Sequence, residues 1–182
     1  MSKNTLFILL SLFLTAGFFA CQNDNNEAEE VEASLPLPPN NQIAPPAELD
    51  TIFKPINGVV RGFDWSATAG DIQAKETASP VEEADESKKV FTIDLNENEF
   101  ADITYQFQGD SLASIQLDIY PADEAAAQRY AGNLKSFFNV KYKKRAELWE
   151  GSENGKVFTA FLTEKNSDAG PFVTVIWERE SE

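Results

Sequence analysis

Three runs between residues 91 and 119 alternate apolar and polar side chains: Phe91, Ile93 and Leu95, then Ile103, Tyr105 and Phe107, then Ile115, Leu117 and Ile119. A period of two places each set on one side of an extended strand, with one buried face and one wet face. The links Asn96–Glu99 and Gln108–Ser111 are short and rich in turn formers, which joins the runs as an antiparallel meander. Val173, Val175 and Trp177 repeat the alternation near the C-terminus, and strands are expected at 146–150, 156–163 and 172–179.

Two segments follow a helical rule instead. Thr68 stands three residues before Asp71, the arrangement of a capping box, and Ala69 to Glu76 reads as a short helix anchored by Ile72. After Pro121, the residues Ala127, Tyr130, Leu134, Phe137 and Phe138 keep the 3.6-residue spacing of an amphipathic helix. Asp123 and Glu124 at its start, and Lys141, Lys143, Lys144 and Arg145 near its end, complement the helix dipole. Residues 79–89 are polar and aperiodic and read as an excursion. The expected fold class is α+β: one antiparallel sheet of about six strands in two helix-then-meander units, with the two helices packed on one face. The globular part is expected to span 51–182.

The start Trp65-Ser66-x-Thr68-x-x-Asp71-Ile72, followed by a meander after each helix, resembles small envelope lipoproteins and inhibitors built from helix-plus-meander repeats. BamE of the outer-membrane assembly machinery and the β-lactamase-inhibitor-like fold are of this kind. The resemblance covers residues 58–180 and implies a non-catalytic, protein-binding module.

The N-terminus carries a different message. Lys3 is followed by about 15 apolar residues from Leu6 to Ala20, the shape of a secretory signal peptide. The run is short for a bilayer span, which needs about 20 residues. Phe18 opposes an ordinary signal-peptidase cut after Ala20, and the chain's one cysteine, Cys21, comes next. Ala20-Cys21 resembles the lipobox of bacterial lipoproteins, which implies removal of 1–20 and diacylglycerol on the Cys21 thiol. Phe18 and Phe19 depart from the usual box. An uncleaved signal anchor and a soluble secreted chain with a free thiol are the other readings. Two or three acyl chains hold a protein firmly, because each buried methylene contributes about 0.8 kcal/mol. One cysteine also leaves no internal disulfide.

Residues 21–50 read as a lipidated N-terminus and tether. Residues 22–50 hold seven carboxylates from Asp24 to Asp50, no Lys or Arg, and five prolines, a composition that disfavours a packed core. As a random coil, 29 residues average about 30 Å end to end. The net charge of −15 argues against nucleic acid as a partner. The acidic run after Cys21 resembles export tags that display lipoproteins on the surface of some Gram-negative cells. The expected location is therefore the cell envelope, on the periplasmic or surface face of the outer membrane.

Chemistry-bearing motifs are sparse. The chain has no histidine, which removes Ser-His-Asp and Cys-His nucleophile systems and His-containing zinc sites. No phosphate-cradling glycine loop occurs. The stretch Asp94-x-Asn96-x-Asn98 opens like a calcium loop, but Glu99 stands where a glycine is needed and Tyr105 at the twelfth position, so a hairpin turn is expected. Lys141–Arg145 reads as a solvated helix end, and Trp65, Trp149 and Trp177 as core. Asp50-Thr51-Ile52 and Asp110-Ser111-Leu112 resemble a three-residue O-glycosylation signal. Cys21 is the one site residue assigned, as the lipidation site, with no catalytic, cofactor or metal residues.

These features rank three functions. The first is a non-catalytic envelope lipoprotein binding another protein or an envelope component, which calls for an exposed apolar or aromatic patch. The second is a lipid or small-molecule binder, which calls for one large apolar pocket beneath the helices. The third is a hydrolase that runs on two facing carboxylates in a cleft.

Overall fold

A computed structural model describes residues 44–54, 57–81, 87–168 and 170–180. The signal segment, Cys21 and nearly all of the tether lie outside them. The folded part already includes the last residues before Thr51. A 3-10 turn spans Ala47–Leu49, Leu49 is fully buried, and Glu48 accepts hydrogen bonds from Arg129 (2.6 Å) and Asn133 (2.5 Å).

The elements are α1 (Ala69–Lys75), β1 (Ser79–Val81), β2 (Lys88–Asn96), β3 (Glu99–Gln108), β4 (Ser111–Tyr120), α2 (Glu124–Lys141), β5 (Lys143–Arg145), β6 (Leu148–Glu153), β7 (Lys156–Ser167) and β8 (Gly170–Arg179). Their strands form one antiparallel sheet of eight, in the order β1-β2-β3-β4-β8-β7-β6-β5. The expectation of about six strands was short by the two edges. β1 falls in the segment read as an excursion, and β5 in the basic run read as a helix end. Each edge strand has three residues, too few to establish a period, and short or charged edges are how sheets avoid pairing with other chains.

Local chemistry explains the rest. Thr68 Oγ1 accepts from the Asp71 amide and Asp71 Oδ2 from the Thr68 amide, both at 3.1 Å, closing the capping box of α1. Asp123 caps α2 by accepting from the Ala126 amide at 2.8 Å. The β6–β7 hairpin turns on Asn154 (φ 50°) and Gly155 (φ 77°), the left-handed pair that a two-residue turn needs to match strand twist.

The register assembles the core. Tyr105, Ile115, Trp177, Ala160 and Trp149 face one another across five strands, and beside them run Phe91, Ile103, Leu117 and Val175. All nine are buried, as are Tyr130, Leu134 and Phe138 of α2. Phe138 lies 5.8 Å from Trp177 and 5.4 Å from Trp149, so α2 packs on this side. All three tryptophans are core residues, as expected.

The strap that precedes α1, residues 44–54 and 57–68, is bolted down by a polar cluster. Arg61, in a left-handed conformation (φ 54°), grips Glu76 at the C-cap of α1 through Nε–Oε2 (2.8 Å) and Nη2–Oε1 (2.6 Å). Tyr105 donates to Glu76 Oε2 at 2.8 Å and the Ala78 amide to Oε1 at 2.9 Å. Burial works against the Glu76 carboxylate, but these donors and the Arg61 charge outweigh it and hold its pKa at about 2.

Candidate interaction surface

Side chains alternate across a sheet, so the residues between the core positions form the opposite face. Three rows run across its strands there. The first is Lys165, Phe172, Tyr120, Phe100 and Asp94. The second is Thr163, Thr174, Asp118, Asp102 and Thr92. The third runs from Leu148 through Phe161, Ile176, Gln116, Thr104 and Val90 to Val81. An acidic row therefore lies between two apolar ones.

In the first row the rings stand on the sheet as a ridge. Phe100 and Tyr120 stack at 4.7 Å with planes 22° apart, and Tyr120 and Phe172 follow at 6.3 Å and 27°. The closer spacing matches the separation of neighbouring strands, about 4.8 Å, so the rings stack along the cross-strand direction. Lys165 Nζ caps one end, 5.7 Å from the Phe172 centroid. At the other end Phe100 remains 40 % exposed, beside Asp94.

Asp102 and Asp118 are direct cross-strand neighbours. Like charges in that position repel, which makes the pair unfavourable for the sheet itself. Each carboxylate is held by hydroxyls or amides: Thr92 donates to Asp102 at 2.7 Å, and Thr174 (2.6 Å) and Gln116 (2.7 Å) donate to Asp118. Partial burial raises the pKa of the Tyr120 phenol, and the Asp118 and Asp102 charges raise it further.

Other candidate residues resolve differently. Asp94 to Asp102 is a β2–β3 hairpin, as expected. Glu99 turns inward instead, accepting from the Asn96 side chain, from Tyr130 at 2.9 Å and from the Ala122 amide at 3.2 Å. Burial opposes its ionisation, but these donors and Arg129 lower its pKa overall. Among the described residues no group of three or more Asp, Glu, Cys or His side chains could hold a metal.

Lys141 departs from the solvated helix end expected of it. It continues the Leu134–Phe138 stripe, so it is buried, with Nζ 5.4 Å from the Phe137 and Tyr142 centroids and 6.0 Å from Phe53. Burial lowers its pKa to about 8 against the opposing pull of Glu153. The apolar stripe read as ending at Phe138 was the available signal, since one further turn reaches position 141.

Two recesses lie at the periphery of the fold. One, of about 270 Å³, is lined by Asp64, Trp65, Ser66, Ser111, Asn154 and Arg179 among others. Arg179 Nη1 donates there to Ser111 at 3.3 Å and to the Trp65 carbonyl at 3.5 Å. The other lies between the start of α1 and the β3–β4 turn at Gly109 and Asp110. Both O-glycosylation-like triplets have a buried third residue, Ile52 and Leu112, with Thr51 exposed and Ser111 on the first recess.

Compared with known proteins, this chain matches no family model, no curated protein and no solved structure.

Proposed function

We propose that this chain is a membrane-anchored lipoprotein of a bacterial cell envelope, lipidated at Cys21, and that its sheet is a non-catalytic binding module. In this reading the chain is two helix-then-meander units joined at β4 and β8, with both helices on one face. Supporting that arrangement, Glu76 at the end of α1 and Phe138 of α2 contact Tyr105 and Trp177, which belong to the same cross-strand row. The face opposite, where Phe100 and Val81 are exposed among the described residues, is then the one offered to a partner.

The observation that carries the binding role is the ridge of Phe100, Tyr120 and Phe172 with the parallel apolar row from Leu148 to Val81. Side chains of this kind outside the core are what an interface needs at its centre. A pocket beneath the helices, as a lipid binder would require, has little room. Phe53 lies 5.9 Å from Trp177 and 6.0 Å from Phe138, and Phe138 packs in turn against Tyr142 at 5.3 Å and edge-on to Trp149 at 5.4 Å. Asp102 and Asp118 do face each other as a carboxylate hydrolase would ask, but on the sheet surface and with their oxygens engaged by Thr92, Thr174 and Gln116.

Two measurements test the reading. Intact mass and membrane fractionation of the wild type and Cys21→Ala report on the anchor. A mature chain that is soluble and carries no lipid refutes it. Photo-crosslinkers placed in intact cells at Thr163, exposed on the open face, and at Gln128 or Ser136, on the outer side of α2, report on the interface. Discrete adducts at Thr163 alone are expected, and adducts on α2 with none at Thr163 would overturn the assignment of the face.

A further inference from the structure

Resting on that reading of the open face, the geometry points to its occupant: a cationic, amphipathic segment of another protein, with lysines or arginines along the Asp102–Asp118 row and apolar side chains on the rows to either side. Three features converge on this chemistry. Adjacent carboxylates on neighbouring strands repel each other, and a cation between them turns that repulsion into attraction. Thr174 and Gln116 fix both oxygens of Asp118 and Thr92 fixes Oδ1 of Asp102, so little ordering of these side chains is left to be done on binding.

The ring ridge points the same way. Aromatic faces attract cations, and the chain already places Lys165 over the Phe172 end of the stack. The Phe100 end is 40 % exposed and has Asp94 as its cross-strand neighbour. With a chain charge of −15 besides, encounter with a basic partner is steered electrostatically, while anionic lipid headgroups are repelled. Apolar rows on both sides of the acids favour an amphipathic segment over a free polyamine, which would leave Phe161, Ile176 and Val90 uncovered.

The test uses the full chain in neutral phosphatidylcholine nanodiscs and two synthetic peptides, one alternating leucine with lysine and its leucine–glutamate counterpart. Empty discs correct for peptide bound to lipid. Binding of the lysine peptide alone is expected, falling steeply with salt. Asp102→Asn with Asp118→Asn should weaken it by about tenfold or more, as loss of close charge pairs does at interfaces. Asp110→Asn with Glu147→Gln changes net charge equally at exposed sites elsewhere and should leave affinity within about twofold. Phe100→Ser should weaken binding without altering its salt dependence. Equal binding of both peptides, no binding of either, or equal loss in the two charge-matched double variants would overturn the cationic assignment. Crosslinking at Thr163 leaves Asp102, Asp118 and the side chains that hold them intact, so it is independent of these outcomes. A partner captured there while the peptides fail to discriminate would sink the cation and spare the interface.

Discussion

Replacing Glu76 by glutamine isolates the polar bolt between the N-terminal strap and the sheet. Its carboxylate is fully buried against Arg61, accepts from Tyr105 and Ala78, and has a pKa near 2 in place of 4.5. Because the folded value is depressed, the native state binds the proton more weakly than the unfolded chain does. The resulting stabilisation is complete above about pH 4.5 and is lost as pH falls toward about 2. At about 1.4 kcal/mol per pKa unit, a drop from 4.5 to about 2 amounts to about 3 kcal/mol at neutral pH. Domains are typically stable by only about 5–15 kcal/mol, so the loss is a large share of the total. Urea unfolding, followed by the fluorescence of the three buried tryptophans at a series of pH values, measures it. Glu76→Gln should lie about 3 kcal/mol below wild type at pH 7. The two should converge as acid protonates the wild-type carboxyl into a near-isostere of the amide. A gap that stays constant down to about pH 2.5 would refute the linkage, and wild-type stability at pH 7 in the variant would refute the bolt itself.

Three further substitutions probe other parts of the fold. Lys141→Met removes a buried amine whose folded pKa of about 8 lies below the ordinary 10.5. The native state resists its protonation, so the variant should gain about 1–3 kcal/mol at pH 7, and the gain should fade as pH rises through about 10. Gly151→Ala places a Cβ 2.8 and 2.9 Å from Phe158 Cε2 and Cε1. Phe158 is fully buried and packs on Trp65 at 5.4 Å and Tyr142 at 5.5 Å, so it has nowhere to move, and thermal unfolding should report a loss of about 1–3 kcal/mol. Asp102→Asn keeps an acceptor for Thr92 but ends the repulsion with Asp118, so denaturant titration should find stability unchanged or raised by about 0.2–1 kcal/mol.

Much of the fold was legible because it rests on local rules. Period-two alternation located β2, β3, β4 and β8, and the 3.6-residue stripe located α2. The Thr68–Asp71 capping box closed where its spacing put it, and the short links became hairpin turns. Each depends on residues a few positions apart, whose chemistry works the same way in any surroundings.

Tertiary structure decided whatever depends on residues distant in the chain. The edge strands β1 and β5 exist because β2 and β6 offer them hydrogen bonds, and three residues cannot announce that by themselves. Lys141 is buried because Phe53, Phe137 and Tyr142 close around it, although lysine by itself reads as solvated. Glu76 meets Arg61, 15 residues back, and Tyr105, 29 residues on, only through the packing of strap, helix and sheet. The candidate surface is the clearest case. Phe100, Tyr120 and Phe172 sit at wet or unremarked positions of three separate strands, and Asp102 and Asp118 are two scattered acids among thirty. Register and the β4–β8 pairing set them side by side, because neighbouring strands lie about 4.8 Å apart however far apart they are in sequence.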